Sequence, residues 1–387
     1  MEAIRIVTNG ILCSIALWGH STCIVAIQWL SIFIWPFSLK YYYKFHAHLM
    51  RQWAQNLFQV MHMFAPGELI ITFDESCTEG NSEFTEHDTE ALEKILTRNK
   101  HGEVVGISFP EKLIMIANHQ IYADWIYIWF LAYLSKAHGS LKIMLKYSLS
   151  LVPIYGMGMK FFEFIFLRRK LEYDKDNIIN NLQKTKKRNR PLWLVLFPEG
   201  TVISDDARQK SKNYATKLHM DDFKFTLLPR TTGLMLCRDT LDNSVEWLYD
   251  LTIAYPGIEP GENPEDVMTM KRIFCEGNGP HKIHIHIRRY RLDTLPSGTE
   301  NFTQWLLERW AEKDKRLVYF NQHGSFPEES DLDNDRWLGH HRTIKVQLAL
   351  QHVLRECFGY WFYFILYIPI IFLIRYLFTF IYATYFQ

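Results

Sequence analysis

Charged side chains are missing from Ile11 to Phe37, a run of 27 residues, and almost missing again from Phe358 to Gln387, where Arg375 is the single charge. About 20 apolar residues suffice to cross a bilayer, so both ends of the chain predict membrane-embedded helices. The first run is too long for a signal peptide, and no small-residue cleavage site follows it. His20, Ser21 and Gln28 inside it leave a bent or re-entrant pair of helices open, and Pro369 leaves the tail open between one kinked span and two short interfacial pieces. After the first run, residues 41–66 mix aromatic, basic and histidine positions and read as an interfacial helix.

The interior follows shorter periods. Glu68 to Asp74 reads as a strand, and residues 74–103 as a polar insertion with a short helix from Asp88 to Leu96. Leu113 to Ala117 is a brief uncharged run of the kind that makes a buried strand, and the apolar stretch after Asp124 makes a helix. Trp193 to Phe197 is a second such strand. Asp174 is expected to cap a helix ending in the basic run Lys184–Arg190, and residues 203–222 to form a loop with a helix start. His281 to Arg289 alternates strictly, with Ile283, Ile285 and Ile287 on one face and His284, His286 and Arg288 on the other; strand alternation explains it without any chemistry. Phe302 to Phe320 is an amphipathic helix. The pattern predicts an α/β fold: a mixed central sheet flanked by helices, with membrane-embedded helices at both termini.

Composition narrows the functional classes. A net charge of +1 gives no reason to expect a nucleic-acid partner. The six cysteines are scattered with no CxxC pair, which predicts reduced thiols, neither a disulfide framework nor a zinc site. His46 and His48 supply two ligand types, but on a helix they diverge, so no metal is expected. Lys40, Lys44 and Arg51 follow the first apolar run while only Arg5 precedes it, which predicts a cytosolic body. The Asn301 sequon would then stay unused.

The candidate chemistry lies in two turns that follow apolar strands. In the first, Asn118-His119 is followed by Asp124. Five residues apart on one helix, His119 and Asp124 would diverge by about 140°. With His119 in the turn and Asp124 in the first turns of the helix, the carboxylate can reach an imidazole nitrogen and leave the other free as a base. The alternative is a capping Asn-His beside an unrelated helix aspartate. The second turn is Pro198-Glu199-Gly200-Thr201. Ligands of open α/β sheets collect beyond the carboxyl ends of strands, which suits both.

NHQIYAD and FPEGT together resemble the glycerolipid acyltransferase family, the 1-acylglycerol-3-phosphate and lysophospholipid acyltransferases. Val152–Arg169 and Leu227–Gly233 are similar to further blocks of that family. YDLTIAYPG, HIHIRR and WLLERWAEKDKRL resemble its lysocardiolipin and lysophosphatidylinositol acyltransferase branch. The resemblance implies transfer of a fatty acyl group from acyl-CoA to a glycerol hydroxyl of a lysophospholipid, in phospholipid remodelling at the endoplasmic reticulum. His119 would be the base and Asp124 its partner. Glu199 and Gly200, with Thr201 nearby, would position the acceptor. Arg169 would hold a phosphate, with Arg230 a second candidate, and Gly156 would let the backbone approach closely. Acyl-CoA enters as co-substrate, with no further cofactor. Val202 stands where bacterial members often have arginine, which favours a bulkier headgroup over lysophosphatidic acid. The alternatives are a 1-acylglycerol-3-phosphate acyltransferase, a lipid hydrolase (against which the chain lacks a GxSxG elbow) and a non-catalytic lipid-binding protein. The expected division is a membrane segment with its interfacial helix (1–66), a catalytic domain (67–330), an amphipathic connector (331–357) and a C-terminal membrane segment (358–387).

Overall fold

The computed structural model describes residues 2–77, 92–327 and 341–385. Ten strands occur among them: β1 (Glu68–Asp74), β2 (Leu96–Arg98), β3 (Val104–Ile107), β4 (Lys112–Ala117), β5 (Leu141–Lys146), β6 (Ile165–Leu167), β7 (Leu192–Leu196), β8 (Trp247–Ala254), β9 (Lys282–Arg291) and β10 (His341–Gln347). Eight form one sheet in the order β10-β1-β9-β8-β4-β7-β5-β6, with β2 and β3 a separate pair. From β8 through β4, β7 and β5 to β6 the neighbours run parallel, and the β8–β9 and β1–β10 pairings are antiparallel. The sheet is mixed, as the apolar pattern predicts.

The uncharged runs have a simple cause: both faces of the sheet are covered. Leu113, Met115 and Ala117 of β4 enter one hydrophobic cluster, shared with the helices Leu39–Phe64 and Asp124–Leu134. Ile114 and Ile116 enter the other, shared with the helices Leu171–Lys187, Thr231–Leu241 and Thr299–His323. β4 and β7 are neighbours, yet the chain leaves β4 over the first face toward β5 and leaves β7 over the second toward β8. Their C-terminal ends therefore part around a crevice, the topological switch point of the sheet.

Several elements differ from expectation for identifiable reasons. Residues 41–66 do form a helix, but Leu49, Leu57, Phe58 and Val60 are buried in the main cluster, so its second half belongs to the body of the protein. Residues 203–222 hold a full helix, Asp205–Lys217, started by Ser204, whose hydroxyl accepts from Ala207 N at 3.3 Å, with two aspartates in its first turn. Asp174 is not the cap of its helix but lies in its first turn. Of the short helix expected at 88–96, residues 92–95 are helical, Leu96 already begins β2, and residues 88–91 fall outside the described residues. Residues 331–340 of the expected connector also fall outside them, and His341–Gln347 is an edge strand antiparallel to β1.

Residues Glu2–Ile34 and Val353–Leu377 are long and apolar enough to cross a membrane. The first is helical throughout, with a π turn at Ile15–Gly19. His20, Ser21 and Gln28, its discordant polar residues, all turn inward. Ser21 Oγ accepts from Trp53 Nε1 at 2.8 Å, Gln28 Nε2 donates to Gly158 O at 3.4 Å, and His20 packs among Tyr360, Tyr363 and Phe364 of the C-terminal segment. The two terminal segments thus pack together, leaving Phe33, Phe37, Phe358 and Phe372 exposed.

Candidate active site

Asn118 follows β4 fully buried, and its amide imitates a strand rung: Nδ2 donates to Ile253 O at 2.9 Å while Oδ1 accepts from Ile253 N at 2.8 Å. This locks the end of β4 against β8 and fixes where the next residue projects. That residue is His119. Asp124, at the start of the helix that follows, is completely buried, and its Oδ2 lies 2.9 Å from His119 Nδ1. The same oxygen accepts from Gln120 N at 2.7 Å and Ile121 N at 3.1 Å, and Oδ1 accepts from the Tyr255 hydroxyl. Four donors thus compensate a carboxylate that has lost all contact with water. The imidazole stacks on Phe197 of the second turn, 4.1 Å between ring centres, and keeps a small exposed edge.

Glu199 of the second turn lies close to the His119 backbone. It is buried, and its Oε1 accepts from Trp310 Nε1 at 3.2 Å, while Oε2 makes no hydrogen bond. Burial pushes its carboxyl up to about 8, against the opposing pull of Trp310, the Leu227 amide, the Lys313 charge and the His119 amide. Gly200, exposed at φ +77°, completes the turn in a conformation suited to glycine. Thr201 follows it, half-buried.

Arg169 reaches this turn and donates from Nη2 to the Gly200 carbonyl. Its backbone is left-handed at φ +63°, rare for a side-chain-bearing residue. Asp174 accounts for it: one carboxylate oxygen accepts from Arg168 N at 2.8 Å and the other from Lys170 N at 3.1 Å, pinning both neighbours of Arg169. Arg168 is turned elsewhere, over the rings of Tyr147 and Tyr173. Arg230, exposed, is tied to the same turn through its amide, which donates to Pro198 O at 2.8 Å. Gly156 is a packing necessity: a Cβ there would lie 2.3 Å from Ser150 O. The structure therefore gathers His119, Asp124, Glu199, Gly200, Arg169 and the Arg230 backbone around one crevice, with Gly156 in the wall of helices beside it.

The sequence reading misses three contributors. Tyr255 ends its strand in an unremarkable YPG turn. Glu265 Oε2 accepts from Tyr122 N at 2.6 Å, and burial with the nearby Asp124 charge raises its carboxyl to about 7. Trp310 looks like core of an amphipathic helix. Each is recruited from far along the chain, and no local spacing announces it.

The helix that begins at Asp124 also lines, through Trp125, Ile126 and Trp129, an apolar cavity of about 560 Å³. Trp125 and Trp129 form one wall, Leu17 and Val25 of the N-terminal helix another, and Tyr155 and Phe164 a third. Its volume falls in the range of small-molecule sites.

Among known proteins the chain is similar to acyltransferases. A family described as acyltransferase matches residues 84–236, and one described as acyltransferase C-terminus matches residues 274–344. The chain is 33% identical over 322 residues to an uncharacterized acyltransferase of Schizosaccharomyces pombe, covering 83% of this chain and 87% of that protein. It is 34% identical over 309 residues to the 2-acyl-1-lysophosphatidylinositol acyltransferase of Saccharomyces cerevisiae, covering 71% and 75%. Similarity to lysocardiolipin acyltransferase 1 of Gallus gallus is 32% over 222 residues, 57% of each chain.

Proposed function

The chain belongs to the acyltransferase family, and from that premise we propose that it moves a fatty acyl group from acyl-CoA to a glycerol hydroxyl of a lysophospholipid. The observation that carries the reading is the buried Asp124 carboxylate against His119 Nδ1 at the mouth of the crevice. With Nδ1 donating to Asp124, Nε2 presents a lone pair. It takes the proton of the acceptor hydroxyl as that oxygen attacks the thioester carbonyl carbon. The C–S bond breaks and coenzyme A leaves as a thiolate, a competent leaving group that requires no strong general acid. Asp124 stabilises the imidazolium formed on the way. The substrate alcohol does the work that a serine does in a hydrolase, so no acyl-enzyme arises.

Arg169 and Arg230, held on either side of the Glu199 turn, suit the phosphate of the acceptor. The apolar cavity lined by Trp125 and Trp129 of the helix that Asp124 begins suits the fatty chain of the donor. Glu199, buried and bonded to Trp310, acts as the floor that sets the turn. A headgroup larger than that of lysophosphatidic acid is favoured, with lysophosphatidylinositol the first choice, supported by the yeast relative. Two apolar terminal helices support a membrane-bound enzyme. The charge balance around the first of them supports a cytosolic body, and the family supports the endoplasmic reticulum.

The test is purified enzyme in detergent with acyl-CoA and a panel of lysophospholipids. Acyl transfer to lysophosphatidylinositol that disappears in His119→Ala, with the variant still folded, is expected. Coenzyme A release without an acceptor would indicate a hydrolase, and preference for lysophosphatidic acid would move the acceptor assignment.

A further inference from the structure

The helix Thr299–His323 lies in the region matched by the separate C-terminal family, far in sequence from either turn of the site. Three of its buried residues either bond to that site or fix the helix beside it. Trp310 bonds Glu199. Lys313, with no exposure, donates to Asp250 Oδ1 at 2.6 Å and to the Leu251 carbonyl, fixing the helix to β8. Asp314 reaches the segment leading to Arg230: Oδ1 accepts from Phe225 N at 2.6 Å and Thr226 N at 3.0 Å, and Oδ2 from Lys224 N at 3.0 Å.

That segment is bonded to both turns of the site. The Phe225 carbonyl accepts from Gln120 Nε2 at 3.2 Å, and Gln120 is the residue after His119. The Leu228 amide donates to Ser211 Oγ at 3.0 Å, and Arg230 N donates to Pro198 O. A loop without regular structure would otherwise be free to shift, since its amides have no ladder to join. One carboxylate occupies three of them in succession.

We propose that Asp314 is a positioning residue for catalysis: it holds residues 224–226 as a strap that, through Gln120, sets the His119 turn against the Glu199 turn. The proposal rests on the acyltransferase reading for its kinetic consequence but not for its geometry. The strap transmits through two bonds, Asp314 to the Phe225 amide and the Phe225 carbonyl to Gln120, so cutting either should release the same turn.

The experiment is a double-mutant cycle of Asp314→Ala and Gln120→Ala, read by kcat and by amide hydrogen exchange. Each single variant is expected to lower kcat about tenfold with KM for both substrates within about twofold, because positioning enters the transition state more than binding. The double variant should match the worse single one. In Asp314→Ala, exchange should accelerate at 120–121 as well as at 224–226. Asp314→Asn, which keeps an acceptor for Phe225 and Thr226 and leaves no hole, should retain intermediate kcat and keeps the test valid if the alanine variant folds poorly. Multiplicative losses in kcat, or unchanged exchange at 120–121 in a folded Asp314 variant, would overturn the proposal. Absence of acyl transfer by the unmodified enzyme would refute the reading of the reaction, while the exchange result would still decide the strap.

Discussion

Asp124→Asn isolates charge from shape in the candidate site. The asparagine can keep its carbonyl toward the three donors that Oδ2 now serves and turn its amide toward Tyr255, whose hydroxyl accepts as readily as it donates. The fold should therefore survive, losing the difference between charged and neutral hydrogen bonds, about 1 kcal/mol for each of a few contacts. Catalysis loses far more. At the observed 2.9 Å, an imidazolium and a carboxylate attract by about 6 kcal/mol with an effective dielectric of about 20. That attraction exists only once His119 has taken the proton, so it stabilises the transition state and not the resting enzyme. At about 1.4 kcal/mol per decade, and with part of the attraction replaced by the asparagine dipole, kcat should fall by about 10³- to 10⁴-fold. KM for acyl-CoA and for the lysophospholipid should stay within about threefold. The assay is steady-state coenzyme A release in detergent, with thermal melting in parallel to establish folding. A folded Asp124→Asn enzyme within tenfold of the parent kcat would refute the role given to the pair.

Three further outcomes follow from particular contacts. The buried Glu199 carboxyl keeps its proton up to about 8 in the folded protein but loses it near 4.5 when unfolded, so the folded state binds more protons between those values and stability falls as pH rises across that window. Glu199→Gln should remove that part of the slope, measured as the denaturation midpoint against pH. Lys313→Met should destabilise by about 3–5 kcal/mol by leaving Asp250 buried and unpaired, and adding Asp250→Leu should recover a large part in the same denaturation assay. Asp174→Ala frees the backbone around Arg169 from its left-handed turn; KM for the lysophospholipid should rise about tenfold while KM for acyl-CoA stays level, in initial-rate measurements with each substrate varied.

How much of this was legible in the sequence depended on the range of the interaction concerned. The sandwiched strands β4 and β7 announced themselves because burial on both faces keeps charge out of Leu113–Ala117 and Leu192–Leu196. The His119–Asp124 contact was foreseeable because a turn followed by a helix start brings residues five apart together. The strand His341–Gln347 was not, because an edge strand buries one face only and its alternation is faint. Of the helix Asp205–Lys217 only the start was foreseen, because its composition is polar; that start depends on the Ser204 cap and the two aspartates behind it, not on an apolar stripe. Trp310 and Asp314 read as packing because their partners lie about 90 to 110 residues upstream, a distance over which no spacing rule operates. Asn118 looked like a turn-former and proved to be a rung of the sheet.

The helix at the start of the chain is bonded to the body at both ends and in the middle: Asn9 Nδ2 donates to the Cys275 carbonyl, Asn56 Nδ2 to that of Ala16, and Ser31 Oγ meets His46 Nε2. It also closes one side of the apolar hollow lined by Trp125 and Trp129. A segment that looks like a detachable anchor is thus part of the vessel. Trimming it to gain solubility would lay Trp53, Trp125 and Trp129 bare and unroof the apolar cavity that we propose takes the fatty chain. Such a shortened chain would be stickier, not more soluble. Detergent around the whole protein, not a cut before residue 38, is the route to a sample that still works.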